Sequence, residues 1–230
     1  MKTISKILSL MLIITVMISC DDDDNITSQP ISNNIVDIAV NSASLSILVE
    51  ALDRADLVST VRNSNDITVL APTNQAFINF LNNNNLNSLN DIPTDVLRET
   101  LLNHVISGNV RSSDLSTGFS STLATSTAAN ENMSIFINTS NGVSFNGVSD
   151  ADLNNIDIEA DNGIIHVVDG VIALPTIATF ATAVDDLSTL VSALDRANLV
   201  GTVADPNQSL TVLAPDNAAF ERFLQDNNFT

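Results

Sequence analysis

The stretch TVLAPTNQAF, residues 68–77, decides the fold of this chain, because the sequence contains it twice. It returns as TVLAPDNAAF at residues 211–220, with 8 of 10 positions identical. Upstream, LVEALDRADLVSTV at residues 48–61 returns as LVSALDRANLVGTV at residues 190–203, with 11 of 14 positions identical. The offset of about 140 residues exceeds the roughly 20 to 50 residues of solenoid repeats. The chain therefore carries two consecutive copies of one domain-sized unit.

The repeated block predicts a strand followed by a helix. Residues 67–71 form a short apolar run that stops at Pro72, which is typical of a buried strand. Thr73 is a suitable cap for a helix that buries Phe77. Another helix precedes the strand, because apolar residues recur at helical spacing over residues 45–55.

Further along the first copy, helices give way to strands. Pro93 and Asp95 open a helix that ends near His104. Short strands divided by Gly, Asn and Ser are predicted at 119–124, 133–138, 142–145 and 156–160, with Asn141-Gly142 as a hairpin turn. The apolar run 164–174 predicts two buried strands. Helices first and strands later indicate an α+β domain.

The amino end has the features of an export signal. Two lysines precede an apolar stretch at residues 7–18, and a helix of that length spans only about 18 Å of a hydrocarbon core about 30 Å thick. The small Ser19 before Cys20 resembles a bacterial lipobox. We therefore predict a signal peptide over residues 1–19 and lipidation of Cys20. An ordinary secretory signal with an incidental cysteine is the alternative.

An acidic segment follows the predicted lipid anchor. Asp21 to Asp24 repel one another and stay solvated, so residues 20–33 are interpreted as a tether. The acidic run beside Cys20 also resembles signals that send some Gram-negative lipoproteins to the outer face of the outer membrane. We predict outward display in the outer membrane, with the inner leaflet as the alternative. The first domain then spans residues 34–175 and the second copy residues 176–230.

Composition excludes several classes of function. The chain has 230 residues, 44% of them hydrophobic and only 15% charged, so a folded protein is expected. Its formal charge is -19, from 27 acidic and 8 basic residues, and such a chain repels a phosphate backbone. Nucleic acid is therefore excluded as a partner. One cysteine and two histidines cannot build the usual thiolate or histidine metal sites, so no cofactor is predicted.

The two histidines are the principal candidates for chemistry. His104 and His166 lie in the apolar contexts LLNHVI and GIIHVV, and the sequence contains no nucleophile elbow, no zinc-protease motif and no phosphate-binding glycine loop. They could form a catalytic or ligand pair. Buried histidines bonded to the backbone, or to an asparagine such as Asn74, are more common. We therefore interpret both as structural and assign no catalytic residue.

One acidic segment imitates a calcium loop. Asp150, Asp152 and Asn154 have the spacing of the first three ligands, and Asp161 stands at the twelfth place. The turning glycine of such loops is replaced by Asn155. We therefore interpret the segment as a turn that leads into a strand and predict no metal there.

Three ordered motifs resemble the fasciclin domain family. Residues 68–77 are similar to its first signature block, LLNHVISG at 101–108 to its middle motif, and NGIIHVVDGVIALP at 162–175 to its last. The resemblance implies a compact, wedge-shaped β-sandwich flanked by helices, found mostly in secreted or membrane-anchored adhesion proteins. The structural motif positions that it marks are Thr68, Pro72, Asn74, Phe77, His104, Gly163, His166, Asp169 and Pro175.

The chain departs from the family pattern in two places. The position before the motif histidine, often a tyrosine linked to cell adhesion in animal members, is Asn103, so integrin-type recognition is not expected. The second copy stops at Thr230, opposite Asn87 of the first, and lacks the middle and last motifs. Because its helices would lack the strands on which they pack, we expect it to be loosely ordered or part of a longer chain.

These observations favour one function and leave two others open. We expect a membrane-anchored, surface-exposed and non-enzymatic adhesion lipoprotein that binds matrix, polysaccharide or partner cells. An envelope-structural or accessory periplasmic lipoprotein is the first alternative. A hydrolytic enzyme is the second, although no group of titratable residues gathers in the sequence.

Overall fold

The computed structural model describes residues 33–126 and 131–229. Cys20, the acidic run after it and the predicted export signal lie outside the described residues. The helices of the first copy are α1 (Ile35–Asn41), α2 (Ser46–Arg54), α3 (Val58–Asn63), α4 (Asn74–Asn83) and α5 (Thr94–Leu102).

The strands follow the predicted order. They are β1 (Ile67–Pro72), β2 (Val105–Ser107), β3 (Gly118–Thr125), β4 (Asn132–Asn138), β5 (Ser144–Phe145), β6 (Ser149–Asp150), β7 (Ile158–Ala160) and β8 (Gly163–Val168). The four short strands predicted between residues 119 and 160 are all present, and Gly142 has the positive φ of 88° that its hairpin turn requires.

The family resemblance implied a β-sandwich, and the strands are found in one curled mixed sheet. With the helices beside it, this sheet confirms the predicted α+β class. The order is β6-β5-β4-β3-β2-β1-β8-β7. β1 lies at the centre, antiparallel to β2 and parallel to β8, and the other pairings are antiparallel. The repeated block therefore supplies the strand on which both halves of the sheet depend.

Both faces of β1 are buried, because successive side chains of a strand point to opposite sides. Val69 belongs to the larger hydrophobic core, which also contains Phe77 and the buried faces of α1 to α5. Leu70 belongs to a second core with Ile135, Phe145 and other residues of the opposite layer. A strand covered on both faces has a continuous apolar sequence, which explains the run at residues 67–71.

β8 approaches β1 so closely that its first residue must be glycine. A Cβ atom on Gly163 would lie 2.0 Å from the carbonyl oxygen of Ile67, and no flexible side chain can move to relieve that contact. Gly163 and Ile67 are partners in the parallel register of the two strands.

The prediction of two strands within residues 164–174 is wrong, because only β8 forms. After β8, the backbone forms hydrogen bonds with side chains and not with a neighbouring strand. The amide of Ile172 donates to the His104 ring at 2.9 Å, and the amide group of Asn103 donates to the carbonyl oxygens of Ile172 and Ala173. A buried apolar segment can thus be tied down without strand pairing.

The second copy is helical over most of its length. Its helices are α6 (Ile177–Ala183), α7 (Ser188–Arg196), α8 (Val200–Ala204) and α9 (Asn217–Asp226). Phe180 of α6 packs edge-on against Phe119 of β3, with ring centroids 5.2 Å apart. Residues 208–216, which include the counterpart of β1, form no regular element.

Within the described ranges, no single helix is long and apolar enough to cross a membrane. Two pairs of consecutive helices pass the test of length and composition together, but each pair is sharply bent, by 104° and 108°.

Candidate functional site

The motif residue Asn74 joins the beginnings of two helices. Its Oδ1 accepts from the Ile47 amide at 2.9 Å, and its Nδ2 donates to the Ala43 carbonyl and the Ser46 hydroxyl at 2.9 and 3.0 Å. We call this arrangement the asparagine clasp. It fixes α4 against α2, and thereby fixes the position at which β1 ends.

The second copy contains the same clasp. Asn217 accepts from the Thr189 amide at 2.8 Å and donates to Asp185 and Ser188 at 3.1 and 3.0 Å. The local structure of the repeated sequence thus forms in both copies, although the described residues of the second copy contain no strand.

His104 is a buried structural node. Its Nδ1–H donates to the Thr100 carbonyl at 2.7 Å, and its Nε2 accepts from the Ile172 amide at 2.9 Å, so the neutral ring has both nitrogens satisfied. The side chain is 1% exposed. Burial disfavours the charged ring and lowers the pKa of His104 to about 4, although the Thr100 carbonyl opposes this change.

His166 is a second node, on β8. Its Nδ1 accepts from the Asp157 amide at 3.1 Å, and its Nε2–H donates to the Val110 carbonyl at 2.9 Å. The residue is completely buried. His104 and His166 share no hydrogen-bond partner in the part of the chain that the structure describes, and each imidazole instead ties a separate loop to the sheet.

A serine and an aspartate near His166 do not form a catalytic triad. The Ser112 hydroxyl donates directly to the Asp157 carboxylate, whereas a triad needs the imidazole between them. The Nε2 atom that would act as the base is bonded to Val110 instead. Burial opposes the charged form of Asp157, but the hydrogen bonds from Ser112 outweigh this effect and lower its pKa.

The other predicted motif positions also support the fold. The Thr68 hydroxyl donates to the Gly108 carbonyl at 2.7 Å and accepts from the Val110 amide at 2.8 Å. Pro72 pairs in register with the end of β8, and Phe77 is fully buried. The exposed Asp169 carboxylate accepts from the Asp150 amide at 2.7 Å.

Asn103, which directly precedes the motif histidine, is completely buried. Its Oδ1 accepts from the Thr122 hydroxyl at 3.2 Å, and its Nδ2 holds the segment after β8. The side chain is therefore inaccessible to a partner molecule.

The segment that imitates a calcium loop forms hydrogen bonds of its own. The Asp152 carboxylate accepts from the Asn155 side chain at 2.8 Å and from the Asn154 amide at 3.0 Å, and these bonds lower its pKa. The Asp161 carboxylate accepts from the Asn33 amide. No group of three or more His, Cys, Asp or Glu side chains within residues 33–126 and 131–229 could hold a metal ion.

Sequence reasoning missed one important polar residue, Asn162. It is 7% exposed, and its Oδ1 accepts from the Ile35 amide at 2.9 Å. Its Nδ2 donates to the carbonyl oxygens of Val61 and Ser64 at 2.7 and 3.1 Å. Asn162 thereby ties α1 and α3 to the start of β8. Its place directly before Gly163, at the head of the motif NGIIHVVDGVIALP, was the available signal.

A cavity of about 460 Å³ lies where the second copy meets the sheet. Pro175, the last motif residue, lines it together with Glu99, Met133, Val203 and Leu210. Its described lining offers carboxylates, hydroxyls and apolar groups but no imidazole, thiol or amine.

The geometry defines a class of α+β domain in which the motif residues hold loops and helices to a central parallel strand pair. The chain belongs to the fasciclin domain family, whose model matches residues 43–175 and 185–229.

Two relatives and one solved structure illustrate the similarity. An uncharacterized protein of Synechocystis is 36% identical over 141 residues, which are 61% of this chain and 98% of that protein. The transforming growth factor-beta-induced protein ig-h3 of Oryctolagus cuniculus is 29% identical over 83% of this chain, but over only 27% of its own length. A FAS1 domain pair from the insect cell adhesion molecule fasciclin I aligns with 79% of this chain and 62% of its own, at 18% identity and a TM-score of 0.45.

Proposed function

We propose that this protein is a lipid-anchored adhesion protein of the bacterial envelope that faces outward and binds matrix, polysaccharide or partner cells without catalysis. Membership of the fasciclin domain family supports an adhesion-type role. Lipidation of Cys20 would supply the anchor, and residues 20–33 would hold the domain away from the membrane.

The observation that carries the proposal is the state of the two histidines. Each ring is at most 1% exposed, and each uses both nitrogens to bind backbone groups. A general base must reach the proton that it removes. A buried ring whose two nitrogens already form hydrogen bonds cannot do so. The most distinctive polar residues of the family motifs therefore serve the fold, which leaves the outer surface for function.

The anchor can be tested by fractionation of cells that express the chain. The wild-type protein is expected in the membrane fraction, and Cys20→Ala should release it, because a lipid chain contributes about 0.8 kcal/mol per buried methylene. Ser19→Ala keeps a small residue before the cysteine and serves as the matched control. Retention of the Cys20→Ala protein in membranes would refute the anchor.

Outward display and ligand binding need separate measurements. Protease treatment of intact cells should remove the protein if it faces outward, whereas protection until the outer membrane is opened would indicate a periplasmic accessory role. A screen of the full chain against glycans and matrix proteins then tests adhesion. A hydrolytic activity that His104→Ala or His166→Ala abolished in a folded protein would contradict a non-catalytic role.

A further inference from the structure

The tetrapeptide Asn-Gly-Val-Ser occurs twice in the chain, at residues 141–144 and 146–149, and a third Asn-Gly pair is Asn162-Gly163. The two residues of such a pair can react with each other, because glycine has no side chain to keep its backbone nitrogen away from Cγ of the asparagine. The reaction needs these two atoms within about 3 to 3.5 Å, so the asparagine side chain must be able to rotate. The fold therefore decides which of the three pairs reacts.

The side chain of Asn141 has this freedom. Asn141 and Gly142 are both exposed, at the tip of the hairpin between β4 and β5. Among the described residues, neither the Asn141 side chain nor the Gly142 amide forms a hydrogen bond. The space beside the glycine is open, because a Cβ atom there would meet no atom within 4 Å. Rotation of Asn141 toward the glycine nitrogen therefore breaks no hydrogen bond of the fold.

Asn146 is followed by the same residues but has different surroundings. It is 2% exposed, and its Oδ1 accepts from the Phe136 amide at 2.7 Å. Its own amide donates to the Phe136 carbonyl at 2.7 Å, so its backbone is held as firmly as its side chain. Rotation of this side chain would leave the Phe136 amide buried without a partner, which is costly. Asn146 is therefore protected.

Asn162 is protected by its structural role. Its Oδ1 accepts from the Ile35 amide, and its Nδ2 donates to the carbonyl oxygens of Val61 and Ser64. Attack by the Gly163 nitrogen would require the loss of all three bonds. These bonds hold two helices to the sheet, so the pair can react only when this part of the fold opens.

We propose that Asn141 is a site of spontaneous deamidation in the folded protein. The Gly142 nitrogen loses its proton and attacks Cγ of Asn141, and the side-chain nitrogen leaves as ammonia, which closes a succinimide ring. Water then opens the ring. Attack of water at Cγ gives aspartate, and attack at the backbone carbonyl carbon gives isoaspartate, in which the main chain continues through Cγ. The reaction consumes water, releases ammonia and involves no oxidation or reduction.

The hairpin can accommodate either product. β4 and β5 pair as far as Asn138 and Ser144, so the additional main-chain carbon of isoaspartate lies in the exposed loop between them. Exposed loop tips tolerate such changes best. The product also adds a carboxylate to a chain whose formal charge is already -19. This inference goes beyond the proposed function, because it concerns a covalent change of the chain itself and depends on no ligand.

The test is incubation of the purified full chain in mildly alkaline buffer, followed by tandem mass spectrometry. Cleavage after arginine leaves all three pairs in one fragment, between Arg111 and Arg196, so their rates are measured in the same sample. Asn141 should convert roughly tenfold faster than Asn146 or more. Its conversion should also accelerate as the pH rises, because the attacking nitrogen must lose its proton.

The same incubation in urea gives the reference rates. Asn141 and Asn146 should then convert at similar rates, because the residues that follow them are identical. Equal rates at these two positions in the folded chain would overturn the proposal. It would also be overturned if Asn141 stayed intact in the folded chain during a time in which it converts in urea.

A pair of variants assigns the released ammonia. Asn141→Gln lengthens the side chain, which disfavours ring closure, and should remove most of the early ammonia release from the folded chain. Asn83→Gln, at an exposed position that no glycine follows, is the matched control and should release ammonia like the wild type. Circular dichroism checks that both variants are folded. Undiminished release from Asn141→Gln would assign the reaction to another residue and refute the proposal.

Discussion

The backbone amide of Ile172 donates to Nε2 of His104 at 2.9 Å, and this bond joins the residue that precedes β2 to the segment that follows β8. The bond requires a neutral imidazole, because a protonated ring has no lone pair to accept it. Its strength should therefore depend on pH.

Acid should destabilise the protein through His104. The unfolded chain binds a proton there below pH 6.5, whereas the folded chain does so only below about pH 4. Because the unfolded state binds more protons between these values, stability falls as the pH drops through this window, by about 3 kcal/mol in total. Denaturant unfolding at a series of pH values measures the slope.

Substitution of one histidine at a time shows which of the two causes the dependence of stability on pH. His104→Gln should abolish the loss of stability that the wild-type protein shows in this pH range. It should also lower the free energy of unfolding at neutral pH. His166→Gln replaces the other imidazole and should leave the His104 slope in place. A slope unchanged by His104→Gln would contradict this assignment.

Gly163→Ala should unfold or severely destabilise the first domain. Its Cβ would lie 2.0 Å from the Ile67 carbonyl oxygen, so β1 and β8 must separate, at a cost of about 3 kcal/mol or more. Gly201→Ala is the matched control, because a Cβ there meets no atom within 4 Å. Thermal unfolding followed by circular dichroism compares the two variants, and equal stability would mean that the strands tolerate a wider spacing.

The two asparagine clasps should differ in their effect on the first domain. Asn74→Ala removes three hydrogen bonds, two from α4 to α2 and one to Ala43 just before α2, and should lower the free energy of unfolding by about 2 kcal/mol. Asn217→Ala removes the matching bonds of the second copy and should change that value by less than about 0.5 kcal/mol. If urea denaturation shows that both variants lose the same free energy of unfolding, the two copies unfold as one unit.

Amide hydrogen exchange should distinguish the two copies of the repeated block. The amides of β1 lie in the centre of a sheet, and we expect protection close to that of global unfolding. The amides of residues 210–214 have no protein acceptor in the described ranges and should exchange almost freely. Equal protection in both copies would contradict the difference in packing.

Local sequence was sufficient to predict the elements around the repeated block. The apolar run before Pro72 gave β1, and Thr73 caps α4 as expected, with its hydroxyl accepting from the Ala76 amide at 3.1 Å. These features depend on neighbours in the chain, so propensity and capping rules apply to them directly. The burial of both histidines could be inferred in the same way from their apolar surroundings.

Features that depend on distant residues could not be inferred. The apolar segment after Gly170 has the composition of a strand, but Asn103 and His104, roughly 70 residues earlier in the chain, occupy its backbone groups. The partners of Asn162 lie even further away in sequence, in α1 and at the end of α3. Only the packed fold brings such groups together.

The presence of the clasp in a copy without a sheet has a consequence for biosynthesis. The helices and the asparagine bonds of residues 177–226 take up the same arrangement as in the first copy, although no strand within the described part of the second copy packs on them. The amino-terminal half of the unit is therefore expected to assemble on the ribosome before β8 has been translated. Its apolar face would then stay uncovered until β8 has been made, and contacts with other unfolded chains would have to be avoided during that interval.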